Sequence, residues 1–306
     1  MWTDAAATRA DAALDAGTRP GTRPSPADED DLGLFGPGSV TWRVHSEPIL
    51  GLAGLRALYL QALHPRAIAG VVQNSGYKSD PWGRLMRTVD YVAAVIYGTT
   101  AEAEQAGRRV RAVHARLTAV DPDTGERFRV DEPDLLRWVH VTEVESFLTT
   151  ARRAGVRLSP AESDAYYAEQ RRAARLVGLS ADEVPGSVAE VDEFYREIRP
   201  QLRITTPAAD SALFLTHPPM PWRLGLTPVR LAWYGIAATA VGLLPPWARR
   251  LYGLPGLATT DLTVSASVRT LRLALAVLPH RFYEGPRYQA AIARAARLAA
   301  TAPGTA

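Results

Sequence analysis

From Ile49 onward the apolar residues recur at three- and four-residue spacing, and alternation of β-branched with polar residues is scarce. That period is helical. It predicts helices at about 51–63, 65–76, 81–97, 100–119, 131–154, 160–177, 187–199, 207–216, 226–243, 262–278 and 286–301. Local punctuation supports several of them. Asp80-Pro81 supplies an N-cap followed by proline at the first helical position, Ser159-Pro160-Ala161-Glu162 adds a carboxylate in the first turn, and Gly155 and Gly178 stand where C-terminal glycines belong. The pattern therefore predicts an all-α fold, with residues 36–306 as a single helical domain. Residues 1–35 mix Ala, Asp, Arg, Gly and Pro, with Arg19-Pro20-Gly21-Thr22-Arg23-Pro24-Ser25-Pro26 followed by Asp28-Glu29-Asp30-Asp31. Such a segment buries too little apolar surface to order itself, and it reads as a flexible, disordered N-terminal tail.

The run from Leu231 to Leu244 has no charged residue, and Arg230 and the Pro245-Pro246 step bound it. It falls short of the roughly 20 apolar residues needed to cross a bilayer. Two readings fit: a buried core helix, or a peripheral membrane contact across 226–250. In the second, Trp233, Tyr234 and Trp247 act as interfacial anchors beside Arg249-Arg250. The N-terminus shows no basic segment followed by an apolar run, so a cytoplasmic location is the default expectation.

Composition narrows the function classes. The chain has 306 residues, 47% of them hydrophobic, which is enough to bury a sizeable core. Its formal charge is +3, yet Lys78 is the only lysine and the arginines lie among acids, so no nucleic-acid partner is expected. Absence of cysteine excludes disulfides, iron–sulfur ligation, thiolate-ligated haem and thiol-based zinc sites. No phosphate-binding GxxxxGK[ST] loop, no GxSxG elbow and no strand-led GxGxxG is present.

The residues that can carry chemistry lie between His64 and Glu145. His114 shares an apolar helix face with Val110 and Leu117, a position that suits either a hydrogen-bonded core histidine or a metal ligand, while Arg108, Arg109, Arg111 and Arg116 can point to solvent. Arg84, Arg87 and Thr88 stand at i, i+3 and i+4 on the helix that begins at Pro81, with Leu85, Val89 and Val92 marking an adjoining buried side. They form either a solvated arginine face or a cationic rim for a propionate, a bound oxygen species or an acidic group, to which Tyr77 and Tyr91 add hydroxyls. His64, before Pro65, is read first as a cap on the carbonyl end of the preceding helix. His140, close to Trp138, is a candidate for cofactor contact or for fixing a water. Glu143 and Glu145 are the best-placed carboxylates for proton transfer, or else partners for arginines. His64, His114, His140 and Glu143 offer a nominal facial triad, but no HxxxH or ExxH spacing supports it.

Taken together, Gln61-Ala62-Leu63-His64-Pro65, the segment Tyr77-Lys78-Ser79-Asp80-Pro81-Trp82-Gly83-Arg84-Leu85-Met86-Arg87-Thr88, Val113-His114 and Trp138-Val139-His140 resemble the signature of the rubber oxygenase catalytic domain and MpaB-type oxygenases. The resemblance covers about residues 38–285. It implies an all-α fold on a globin-like helical core that holds a non-covalent haem b. By position His114 resembles the proximal iron ligand, and Arg84 and Thr88 resemble an arginine and threonine near the haem. Arg87 stands where latex-clearing proteins carry a lysine that approaches the iron. Arginine stays protonated and is a poor ligand, so an open distal position is implied. Between His64 and Arg84 there is no counterpart to the glutamate of rubber-cleaving members, only Asp80. The resemblance thus carries haem and oxygen chemistry further than any named substrate.

The reading that follows is a haem b-dependent oxygenase, an oxidoreductase using dioxygen or peroxide on an apolar, isoprenoid-like or secondary-metabolite substrate, with an electron donor as a further partner. Its iron ligand is His114; Arg84, Thr88 and Arg87 are the catalytic candidates; and Arg84, His140 and Tyr77 contact the cofactor. The alternatives are a haem-binding sensor or carrier without turnover, and a helical scaffold that has lost the cofactor.

Overall fold

The computed structural model describes residues 30–76, 78–220, 223, 227–279 and 284–301. Among them are thirteen α-helices and one two-stranded hairpin, so the fold is all-α. In chain order the elements are α1 (Val40–His45), α2 (Leu50–Gln61), α3 (Pro65–Asn74), α4 (Pro81–Tyr97), α5 (Thr100–His114), β1 (Thr118–Val120) and β2 (Arg127–Arg129). They continue with α6 (Pro133–Arg153), α7 (Pro160–Val177), α8 (Val188–Ile198), α9 (Thr206–Thr216), α10 (Pro228–Gly242), α11 (Pro246–Leu251), α12 (Ala258–Ala276) and α13 (Pro286–Thr301). Most of the predicted N-terminal tail lies outside the described residues. Where that segment meets the fold, Asp31 accepts hydrogen bonds from the backbone N–H and hydroxyl of Thr100 at 2.6 and 3.0 Å, and Leu34 and Phe35 pack beside Trp42 and Tyr97.

The core is built on α2 packed against α6. Leu52, Ala53, Leu60 and Leu63 meet Trp138, Val141, Leu148 and Ala151, all essentially buried. Trp138, the largest of these, is fully enclosed, and its indole N–H is satisfied by the carbonyl of Gln61 at 3.1 Å. Phe194 and Tyr195 of α8 and Leu243 and Leu244 beyond α10 close the same cluster.

Two buried arginines tie this core together. Arg56 donates to the carbonyl of Leu243 at 3.0 Å and to both carboxylate oxygens of Glu145, and Arg249 binds the carbonyl of Gly242 at 2.7 Å and the carboxylate of Asp261 at 2.8 Å. Glu145, one of two carboxylates proposed for proton transfer, is therefore a structural partner of arginine and also accepts from Tyr195 and Thr149.

The predicted caps form. Asp80 accepts from the N–H of Gly83 at 2.9 Å, Ser159 and Glu162 make a reciprocal capping box, and Gly178 ends α7 at φ +102°, a left-handed conformation that favours glycine. Helix α5 stops at His114, short of the expected residue 119. The next residues pair as a hairpin instead, Ala119 opposite Phe128, around a turn in which Asp121 accepts from the N–H of Asp123 at 2.9 Å and Gly125 adopts φ +74°.

The apolar side expected on α4 is corrected. Leu85 and Val89 are 39% and 49% exposed, and the buried residues of this helix are confined to Ala94–Tyr97, because only its C-terminal half is covered by α1, α5 and α13. Helix α10 divides between the two expected readings. Ala237 and Ala240 are buried in the core, whereas Leu231 is 73% exposed. The proposed interfacial anchors are engaged inside the protein: Trp233 donates to the carbonyl of Leu215 at 3.0 Å and meets Trp82 edge-on, and Trp247 packs on Tyr195 and Arg199. No helix of the described residues is long and apolar enough to cross a membrane.

Candidate active site

A cavity of about 280 Å³ opens between α3, α4, α5, α6 and α7 and the hairpin. This approaches the lower end of the roughly 300–1,000 Å³ range of small-molecule sites. Its walls are mainly apolar, with Val71, Val95, Leu117, Phe128, Val139 and Phe147 among them. The hairpin contributes Leu117, Phe128 and Val130, so the early end of α5 is what turns this segment into a cavity wall.

His114, the last residue of α5, lines the cavity. Its Nδ1 is buried without a hydrogen-bond partner, and burial lowers its pKa against a smaller opposing effect from the Asp131 carboxylate. The ring is thus neutral near pH 7. A buried imidazole nitrogen without a partner is uncommon in a folded interior.

Helix α6 brings two ionisable groups to the same cavity. His140 and Glu143, three residues apart, both line it. Burial alone pushes the Glu143 carboxyl up to about 7 and the His140 imidazole down to about 4. No hydrogen bond or ion pair from either side chain offsets that burial among the described residues. Across the cavity stand Tyr91 of α4, whose hydroxyl is pushed up by burial and then by the Glu143 charge, and Gln170 of α7. His45 of α1 also lines the wall; burial lowers it to about 3, and its Nε2 is 3.1 Å from the Tyr166 hydroxyl.

The candidates from the sequence separate into two groups. Arg84, His114 and His140 meet in the cavity, joined by Glu143 and Tyr91. Thr88 and Arg87 do not line it. Thr88 is exposed and donates to the carbonyl of Arg84 at 3.1 Å, and Arg87 pairs with Asp80 at 3.4 Å. Tyr77 lies outside the described residues. His64 caps the helix that follows it, accepting from the N–H of Ala67 at 3.3 Å, rather than the carbonyl end of the one before. Burial and then the Arg66 charge lower it to about 4. The described residues assemble no group of three or more His, Asp or Glu able to hold a metal ion, so the set weighed as a facial triad does not converge.

His45, Asn74 and Gln170 line the cavity without having been picked out in the sequence. They come from three separate helices, and no spacing connects them. The hairpin did leave a trace: Thr118-Ala119-Val120 and Arg127-Phe128-Arg129 alternate around Asp121-Pro122-Asp123-Thr124-Gly125, a short-strand and turn signature.

Residues 42–276 match the protein family described as ER-bound oxygenase mpaB/B'/rubber oxygenase, catalytic domain. The chain belongs to this family. No curated protein and no solved structure matches it. Membership in the mpaB/rubber oxygenase family supports a general oxygenase role and thus an oxidoreductase. All the cavity-lining residues between His45 and Val177 fall within the matched span.

The residues present suit a haem chemically. They supply one neutral imidazole with an orphaned buried nitrogen, a guanidinium on the same wall and an apolar surround. Three histidines line the cavity; Nε2 of His45 lies 3.1 Å from the Tyr166 hydroxyl, and His114 is the one whose ring nitrogen is fully buried without a partner among the described residues, so His114 would be the donor best suited to hold the iron.

Proposed function

We propose that the chain is a haem b-dependent oxygenase acting with dioxygen or peroxide on an apolar, isoprenoid-like substrate. The observation that carries this reading is the Nδ1 of His114, buried, neutral and without a partner in the wall of an apolar cavity. A bound haem supplies the redox chemistry of its iron. The chain holds that iron through the His114 imidazole, and Arg84 offers a charge-assisted hydrogen bond to a propionate or to an anionic oxygen. Val71, Val95, Val144 and Phe147 exclude bulk water and hold an apolar molecule by its surface. Glu143 and His140 can hold or pass a proton at the carboxyl oxygen and the ring nitrogens. An electron donor and a membrane-surface contact through the exposed part of 226–250 belong to the same proposal.

The test is an absorption spectrum of the purified, haem-supplemented protein. A Soret band that is lost on His114→Ala supports the assignment; full haem retention with an unchanged spectrum in that variant refutes it. Oxygen uptake with an added alkene then distinguishes an oxygenase from a haem sensor or carrier.

A further inference from the structure

The mainly apolar cavity carries a polar pair on α6 whose hydrogen-bond partner the haem reading leaves unassigned. Helix α6 is otherwise greasy on this wall, with Leu136, Val139, Val144 and Phe147, yet it also presents Glu143 and His140. Glu145, only two residues on, faces away and is bonded by Arg56, Tyr195 and Thr149. Glu143 and His140 have no such partners among the described residues. A molecule filling this space displaces whatever water serves them, and a bare hydrocarbon returns nothing in exchange. A molecule that carries a hydroxyl or carbonyl replaces the water. Charge narrows the choice further. Below pH 7 the Glu143 carboxyl keeps its proton, and Arg66 is already paired with Asp121 and Glu132, so a neutral polar group recovers the hydrogen bonds without bringing an unpaired charge into a mainly apolar cavity.

We propose that the substrate is an apolar molecule bearing a neutral hydroxyl or carbonyl, and that Glu143, with His140 beside it, is the specificity-determining residue that hydrogen-bonds this group. The inference rests on the oxygenase reading for calling the ligand a substrate. The recognition itself needs only the cavity. Glu143 as the neutral acid donates to a carbonyl or hydroxyl oxygen, and its second oxygen accepts from a hydroxyl, while the neutral His140 adds one donor and one acceptor. Sites built this way discriminate against analogues that lack the polar group, because the site's own groups are left unpaired.

The experiment is calorimetric titration of the haem-supplemented protein at pH 6 with geraniol, with its hydrocarbon counterpart β-myrcene and with geranylamine. Geraniol is expected to bind about tenfold or more tightly than β-myrcene, equivalent to about 1.4 kcal/mol. The preference should vanish in Glu143→Leu and persist in Glu143→Gln, which keeps the hydrogen bonds. Equal binding of alcohol and hydrocarbon, tighter binding of the amine, no measurable binding of the alcohol, or an undiminished preference in Glu143→Leu overturns the proposal. If Glu143→Leu does not fold, the wild-type comparison together with His140→Phe decides, with the preference expected to fall in that variant. A protein lacking a Soret band but preferring geraniol refutes the haem assignment alone; one with a Soret band and no preference refutes this inference alone.

Discussion

Glu143→Gln should make the protein more stable, and only above a defined pH. In the unfolded chain this carboxyl titrates at its ordinary 4.5; in the fold, burial raises it to about 7. Between those values the native state holds a proton that the unfolded state has released, so stability is fully present below 4.5 and is lost as pH rises through 7. At about 1.36 kcal/mol per unit of pKa, the loss is a little over about 3 kcal/mol by pH 8. Glutamine keeps the shape and neutrality of the protonated acid and does not ionise. Urea unfolding of wild type and Glu143→Gln at matched pH values from 4 to 8 measures the difference directly. His140 contributes a slope of opposite sign, because a histidine lowered to about 4 costs stability as pH falls below its ordinary 6.5. That contribution, and those of His45 and His114, cancels when the variant is subtracted from wild type at each pH, and Tyr91, raised above its ordinary value, does not titrate in this range. The expected result is near-zero difference at pH 4 and a gain of about 3 kcal/mol at pH 8, or about 4–6 °C in Tm for a chain of this size. A difference independent of pH would refute the placement of this carboxyl in a water-poor cavity.

Three other outcomes follow from the geometry. Arg56→Ala leaves the Glu145 carboxylate without its main partner in the core and should cost about 3–5 kcal/mol by urea unfolding, with part of the loss restored by Glu145→Leu in the same chain. Arg84→Leu should weaken haem retention about tenfold or more, the worth of one charge-assisted hydrogen bond, as read by transfer of haem to apomyoglobin; Arg108→Leu, exposed on α5 beside Glu104 at 3.5 Å, should not. Leu231→Asp should reduce co-sedimentation with anionic vesicles while leaving Tm within about 2 °C, since this side chain is 73% exposed; unchanged vesicle binding removes 226–250 from the membrane proposal.

Individual residues show how far local pattern reaches. Asp80, Ser159 and Gly178 set helix ends within their own few residues, so their roles were legible in the chain. Leu117, expected beside His114 on one helix face, reaches the cavity wall from beyond the end of α5, and Val110 does not line it, whereas the spacing of Arg84 placed it near the rim. Spacing did not separate Arg84 from Thr88, four residues on, because both project from one side of α4. The tertiary structure sets Arg84 on the cavity wall and leaves Thr88 exposed.

By itself, then, the amino-acid order determined the helical class, the caps and the lack of any cysteine chemistry. These depend on period, residue type and neighbours within about one helical turn. Only the tertiary structure decided that Glu145 would be neutralised by Arg56 while Glu143, two residues earlier on the same helix, would be left without a partner in a cavity. The reason is physical: two positions apart on a helix face nearly opposite ways, and what each side meets comes from chain as distant as α2 on one side and α4 and α7 on the other.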